Sequence, residues 1–331
     1  MESPTPGNGD GCNIPTAAGT MQWMCRDLVT CWAGARATAF QGAPSRRTAS
    51  LGAAVGLTSG PTLSRASVPG PVVGFGTSGI KEVSLLAFAL RLGYRLVDTA
   101  AFYGNEEEVG SALRETRMTD GLPLETSVTT KVWWTDMSFD KAKSSVQRSL
   151  QKLGTRVADL VLIHWPGRQH PPKENGNRDA RKATWEALCE LKQAGSIREI
   201  GVSNFTVRHL KELEGYSMQM PAVNQVELHP YLQQKELFEY CQQKGIQVQA
   251  YSPLASGRLR LLSDPVLREV AATNGISPAQ VKTTSAVRMR ENLRAEILPD
   301  LPQSDADAIT GLDRQESCDV SGGLVSPDRI A

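Results

Sequence analysis

From about Pro71 onward the sequence predicts an α/β fold built on parallel strands, and three observations predict it. Short runs of consecutive apolar, β-prone residues recur along the chain. Amphipathic stretches of helical length separate them. The runs are apolar on both faces, as strands covered by helices on each side must be. The third observation is that polar residues recur at the C-terminal ends of the runs. Seven such units suit either a (β/α)8 TIM barrel or a doubly wound sheet. A closed barrel gathers all strand ends at one mouth, whereas an open sheet spreads them along an edge, so the recurrence favours the barrel.

The elements follow in order. PVVGFGT (71–77) reads as a strand and 81–92 as a helix. YRLVDT (94–99) is a strand followed by a helix over 106–117. TSVTTKVW (126–133) precedes a helix over 139–153. ADLVLIHW (158–165) precedes one over 183–194. REIGVS (198–203) precedes 207–214, AVNQVE (222–227) precedes 235–244, and QVQAYS (247–252) precedes 264–273. QSDADAITGLD, in an acidic C-terminal stretch that starts near Pro299, has the pattern of one more helix.

The chain has 331 residues with 36 basic and 35 acidic side chains, and that balance gives no general argument for binding nucleic acid. No apolar run is long enough to span a bilayer. Cys12, Cys25, Cys31, Cys189, Cys241 and Cys318 show neither CxxC nor metal-ligand spacing, so a reducing compartment and no metal site are expected. The first lysine is Lys81, and no acidic residue lies between Asp27 and Glu82, where Arg36, Arg46, Arg47 and Arg65 fall. Arg-rich, Ser-rich, acid-poor composition marks organelle transit segments, but a disordered tail has it too. Residues 1–65 are therefore expected to be a disordered leader or transit segment without a fold, and 66–331 a barrel domain with a C-terminal loop. The location expected is cytoplasmic, or plastid or mitochondrial if the leader targets the chain.

GFGTSG (74–79) matches GxGxxG, follows a strand and precedes a helix, with Asp98 ending the next strand. These are marks of a Rossmann dinucleotide site. The pattern is weak in a chain with 29 glycines, and it leaves the other strand-end residues unexplained.

Those residues are Asp98, then Tyr103 in the adjoining loop, Lys131, His164, Ser203 with Asn204, Gln225, and Tyr251 with Ser252. Singly each has a plain explanation: a helix cap, a half-buried aromatic, a snorkelling lysine, a satisfied core histidine. Together an acid, a phenol, an ammonium and an imidazole at successive strand ends share a chemical reason. A carbonyl that receives hydride becomes an alkoxide and needs a proton. Tyrosine, with an ordinary pKa of about 10, is a poor acid, and a neighbouring lysine is expected to lower that value. A carboxylate makes burial of the lysine less costly, and a neutral imidazole orients the substrate oxygen.

GYRLVDTAAFYGNEEEVG (93–110) closely resembles the first signature of the aldo-keto reductases. LVLIHWP (160–166), GVSNF (201–205), NQVELHP (224–230) and AYSPL (250–254) match further blocks of that family in the right order, from about Val68 to the C-terminus. The resemblance implies a (β/α)8 barrel that reduces aldehydes or ketones with NADPH. It implies a catalytic tetrad of Asp98, Tyr103, Lys131 and His164, with Tyr103 as general acid. Ser203, Asn204 and Gln225 would hold the nicotinamide carboxamide, Tyr251 would stack on its ring, and Ser252 and Leu254 would contact the pyrophosphate. Trp133 and Trp165 match walls of the substrate pocket. The expected partner is a small carbonyl compound, with no nucleic acid or membrane, and the chain is expected to be a monomer or weak oligomer.

Two departures from the family pattern stand out. Ser78 occupies a position where many members carry Trp, which implies a wider or more polar pocket. SPAQV (277–281) resembles the start of the helix before strand eight, yet KTTSAVRMREN (282–292) resembles the block after that strand. In that block Lys282, Thr283, Arg288 and Asn292 match ligands of the adenosine 2′-phosphate. The barrel is therefore expected to lack its eighth strand, which would leave two unpaired edges. An impaired family member acting as a binding subunit, and a Rossmann dehydrogenase, are the alternative readings.

Overall fold

The structure, a computed structural model, describes residues 29–32, 73–119, 126–168, 176–257, 259–275 and 301–318. A short strand, β1 (Val29–Trp32), precedes β2 (Val73–Gly76), β3 (Leu96–Asp98), β4 (Ser127–Val132), β5 (Ala158–Ile163), β6 (Ile197–Ser203), β7 (Val223–Glu227) and β8 (Gln247–Tyr251). Strands β2 to β8 pair in chain order, each parallel to the next. They are the seven strands that the apolar runs predict. Their sequential order around the ring is not that of a doubly wound sheet, so GFGTSG ends a barrel strand and opens no Rossmann unit.

Closure comes from an unexpected place. β1 lies antiparallel to both β2 and β8, with Val29 opposite Phe75 and Cys31 opposite both Val73 and Ala250. The ring therefore closes with an antiparallel strand from residues 1–65, a stretch in which sequence patterning predicts no element. The physical reason is the pair of edges. Seven parallel strands leave one row of unpaired N–H and C=O groups on β2 and another on β8, and a strand of either direction can satisfy both.

The helices are α1 (Val83–Leu92), α2 (Glu106–Thr119), α3 (Phe139–Leu153), α4 (Gly176–Gln193), α5 (Val207–Glu214), α6 (Lys235–Gln243), α7 (Pro265–Thr273) and α8 (Gln303–Thr310). Among the described residues no helix is long and apolar enough to cross a membrane. Local chemistry sets the ends of several. α3 stops at Gly154, whose left-handed φ of 68° lets its N–H reach the carbonyls of Gln151 and Leu150. α7 starts at Asp264, whose side chain accepts from the Val266 N–H at 2.9 Å, with Pro265 as the first helical residue.

α4 begins at Gly176, well before the start at 183 that periodicity predicts. Its polar first half is held by tertiary contacts. Arg181, 1% exposed, makes a two-pronged ion pair with Glu212 of α5 (2.9 and 2.6 Å) and donates to the Pro166 carbonyl at 2.7 Å. A charge buried inside a helix defeats a reading based on apolar spacing.

The alternation of strand residues explains where function can sit. Val161 and Ile163 of β5, Ile200 and Val202 of β6, and Val248 of β8 face outward. They share a core with Val146, Leu150, Trp185 and Leu188 of the helices. On the other side of the ring, Phe75, Val97 and Val128 pack against Leu86, Leu90 and Val109. Leu160, Leu162 and Val223 form a separate small cluster from the opposite strand faces. With a period of two, the same faces next present Gln225 after Val223, and His164 just beyond the end of β5. Inside, the ring is apolar low down and polar at its C-terminal mouth. Gly201 of β6 is required there, because a Cβ would lie 2.6 Å from the Val223 carbonyl oxygen.

Candidate active site

Lys131, late in β4, is 1% exposed. An ammonium at that depth needs a partner for each of its hydrogens. Nζ donates to Asp98 Oδ1 at 2.5 Å, to the Thr99 carbonyl at 3.1 Å and to Tyr103 Oη at 3.3 Å. Asp98, the last residue of β3, uses its other oxygen to accept from Gln225 Nε2 at 2.7 Å. The same nitrogen donates to Gln249 Oε1 at 2.9 Å. Tyr103 reaches the ammonium from a single 3-10 turn, Ala101–Tyr103, which ends at Gly104 with φ 62°. His164 stands edge-on to Tyr103, ring centroids 5.6 Å apart at 80°. Thus the structure brings all four tetrad candidates into one cluster.

The electrostatics modify one expectation. Burial raises the Tyr103 phenol above its ordinary pKa; the Lys131 cation pulls it back without cancelling the rise, and Asp98 adds to it. The lowering expected from lysine alone is therefore corrected: Lys131 moderates an upward shift. Lys131 itself is held above its usual value, because Asp98 and Tyr103 together outweigh burial. Burial and the nearby Lys131 push His164 well below the ordinary histidine value, so its ring is neutral near pH 7. His164 Nδ1 is buried and has no hydrogen-bond partner among the described residues.

The residues that the resemblance assigns to the nicotinamide end also converge here. Ser203 Oγ donates to the Gln225 carbonyl at 2.8 Å. Asn204, in the left-handed region at φ 62°, donates to the His164 carbonyl at 3.0 Å and accepts from the Tyr251 hydroxyl at 2.8 Å. A non-glycine residue in that conformation, locked by two side-chain bonds, is a common sign of a functional loop. Ser252 is buried with φ 46° and lies 3.3 Å from Ser256 through their hydroxyls. Leu254 is packed instead against Tyr231, Ala255, Leu261 and Cys318. Lys282, Thr283, Arg288 and Asn292 lie outside the described residues.

Half-buried Trp133 meets His164 edge-on at 5.0 Å. Phe102, 57% exposed, stacks on Trp133 with centroids 3.9 Å apart and planes 16° apart. Trp165 is 7% exposed, and Trp133 with Phe102 forms a partly exposed aromatic pair beside His164. Ser78 is partly exposed beyond β2.

Sequence reasoning missed Phe102, Gln249 and Asn105. Gln249 pairs in register with Gln225 and shares a strand face with Tyr251, a signal available from period-two counting. Asn105 accepts from Thr99 Oγ1 at 2.8 Å and donates to the Thr77 and Ile80 carbonyls at 2.6 and 2.8 Å, fixing the loop that carries Tyr103.

Known proteins match this arrangement. The sequence profile described as Aldo/keto reductase family covers residues 76–294. A glyoxal reductase of Bacillus subtilis (strain 168) is 40% identical over 254 residues, spanning 72% of this chain and 86% of the relative. The methylglyoxal reductase DkgB of Escherichia coli O157:H7 is 37% identical over 280 residues, 79% of this chain and 97% of the relative. Among solved structures, an aldo-keto reductase from a Medee basin deep-sea metagenome library superposes with a TM-score of 0.66 at 33% identity, covering 74% of this chain and 92% of that one. A Bombyx mori aldo-keto reductase in complex with NADP gives 0.66 at 29% identity, covering 74% and 90%. With this much of the chain matched by the profile, and relatives of that identity spanning most of its length, the chain belongs to the aldo/keto reductase family.

Proposed function

We propose that the protein reduces small aldehydes or ketones to alcohols with NADPH, Tyr103 acting as the general acid. The observation that carries this reading is the chain of contacts from buried Asp98 and Lys131 to the hydroxyl of half-buried Tyr103, beside a neutral His164. The relatives that act on glyoxal and methylglyoxal support a small carbonyl compound as substrate. NADPH, when bound, supplies the hydride.

The mouth suits a nicotinamide. Gln225 and Asn204 carry amide groups, Ser203 a hydroxyl, and Tyr251 a half-buried ring, all within one hydrogen-bonded set. Gln249 Nε2, buried beside Gln225, lacks a partner among the described residues and so leaves donor capacity there. Ser203, Asn204, Gln225 and Tyr251 would hold the nicotinamide.

The chain's own residues do the rest of the work. Neutral His164 offers a ring nitrogen to the substrate oxygen and orients it. Tyr103 Oη gives its proton to that oxygen as negative charge develops there. The phenolate left behind is stabilised by the Lys131 ammonium at 3.3 Å, whose own position is set by Asp98. Because burial keeps the phenol protonated, the acid stays loaded across the neutral range. Trp133 and Phe102 present apolar surface to the body of the substrate.

The test is loss of NADPH absorbance with methylglyoxal and a panel of aldehydes, sugars and ketones, alongside a fluorescence titration of NADPH. Turnover with carbonyl compounds and saturable NADPH binding are expected. Saturable NADPH binding with no turnover of any carbonyl would overturn the catalytic reading, and absence of binding would overturn the cofactor assignment.

A further inference from the structure

Away from the tetrad, three residues of different donor chemistry meet under the C-terminal segment. Glu227 is the last residue of β7. His229 follows in a tight loop whose backbone is fixed by paired hydrogen bonds with Leu232 (3.1 and 2.8 Å). Cys318 arrives from the far end of the described chain. Their exposures are 6%, 5% and 4%. One donor atom from each, a carboxylate oxygen, a ring nitrogen and the thiol sulfur, lie within 4.8 Å of one another. None of the three touches Asp98, Tyr103, Lys131 or His164 in the hydrogen bonds described above.

We propose that Glu227, His229 and Cys318 form a binding site for a zinc-class transition-metal ion that clips the C-terminal segment onto the barrel. The donor set is the first argument. Thiolate, imidazole and carboxylate together suit zinc and its neighbours, whereas calcium and magnesium take oxygen donors. The second argument is that the ring is poised for a ligand role. His229 Nε2 lies 2.9 Å from Glu227 Oε1, and Nδ1 is buried without a partner among the described residues, so the ring makes one polar contact among them and has a nitrogen to give to an ion. The third is support around the ligands. Glu227 accepts from the Cys318 N–H at 2.7 Å and from the Ser317 hydroxyl at 2.6 Å, which orients the carboxylate as outer contacts do in metal sites. Leu254, Leu261 and Tyr231 pack beside Cys318 and form an apolar wall.

Binding would need a small rearrangement. The thiol releases its proton to solvent and binds as thiolate, while the imidazole binds neutral through one nitrogen. Three protein donors leave a fourth position for water. Linear spacing could not show the site, because its third ligand lies far along the chain from the first two and no CxxC pattern is involved.

The experiment is a competition titration. Protein stripped with a chelator is titrated with zinc chloride in the presence of a chromophoric chelator, for the full chain and for Cys318→Ser and His229→Ala. In parallel, alkylation of each cysteine is followed by mass spectrometry with and without zinc. One zinc equivalent is expected, lost in both variants, with Cys318 alkylation slowed by zinc while Cys189 and Cys241 are unaffected. Absence of stoichiometric binding overturns the proposal. So does binding that survives both substitutions, or a Cys318 alkylation rate indifferent to zinc. The alkylation readout uses the unmodified chain, so the proposal stays testable if a variant does not fold.

Discussion

The catalytic mouth and the seam that closes the barrel are made differently. At the mouth the functional residues come from successive β/α units, and neighbouring strands fix several of them in register: Ser203 opposite Gln225, Gln225 opposite Gln249. Buried bonds then tie residues as far apart as Asp98 and Gln225. At the seam a four-residue strand pairs at three positions with β2 and at two with β8. The mouth is over-determined by repetition, whereas the seam rests on a handful of backbone bonds formed by a segment from outside the β/α repeat. A parallel wall can thus carry a complete site while its closure depends on an element of another kind.

The sharpest test of the mouth is Tyr103→Phe. It removes the transferable proton and one contact of Lys131 and nothing else. Reduction should fall by about 10²–10⁴-fold, the usual worth of a general acid, with NADPH titration little changed. Undiminished turnover would remove Tyr103 from the chemistry.

Next in size is Lys131→Met. Among the described residues it leaves buried Asp98 only Gln225 as a side-chain partner, and breaking a buried ion pair costs about 3–5 kcal/mol. Chemical unfolding measures this. The pH profile supplies an independent check: without the cation the phenol pKa rises further, so the alkaline limb of reduction should move to higher pH. A limb that moves down would contradict the assigned role of Lys131.

Deleting residues 1–34 addresses the seam. With β1 gone, the edges of β2 and β8 lose their partners, and at about 0.5–1.5 kcal/mol net per hydrogen bond the loss should be a few kcal/mol. Lower thermal stability and association through the bare edges are expected, read by calorimetry and size-exclusion chromatography. A truncated chain as stable as the full one and no more associated would show that the seven parallel strands hold without closure.

The smallest effect is in pH dependence. His164 is neutral when folded and has its ordinary pKa of about 6.5 when unfolded, so the unfolded chain binds more protons below that value. The contribution is fully present above pH of about 6.5 and shrinks as pH falls through it. Stability measured in that window should decline with acidification, and His164→Gln should flatten the curve. An unchanged slope would place the titration elsewhere.

Most of the wall was legible. The apolar runs located all seven parallel strands to within two residues at every end, and α3 and α5 have the ends that periodicity predicts. Asp98, Lys131 and His164 stood out because each breaks an apolar run at the same relative place, and Tyr103 because it follows Asp98 in the adjoining loop. Phe102 did not, since an aromatic beside a tyrosine carries no periodic signal, and the early start of α4 was hidden by the buried Arg181–Glu212 pair.

The sequence by itself determined the repeat, the parallel sense of the wall and the polar residues that end its strands, because alternation and strand-end position are local properties of the chain. Tertiary structure decided what depends on contacts between distant segments. It turned the Tyr103 shift upward, because burial at the mouth outweighs the pull of one lysine. It gathered Glu227, His229 and Cys318 at one point beneath the C-terminal segment. It also closed the ring with Val29–Trp32, because the demand of two bare edges for hydrogen bonds is met by any extended segment that reaches them, and no local pattern marks which one that is.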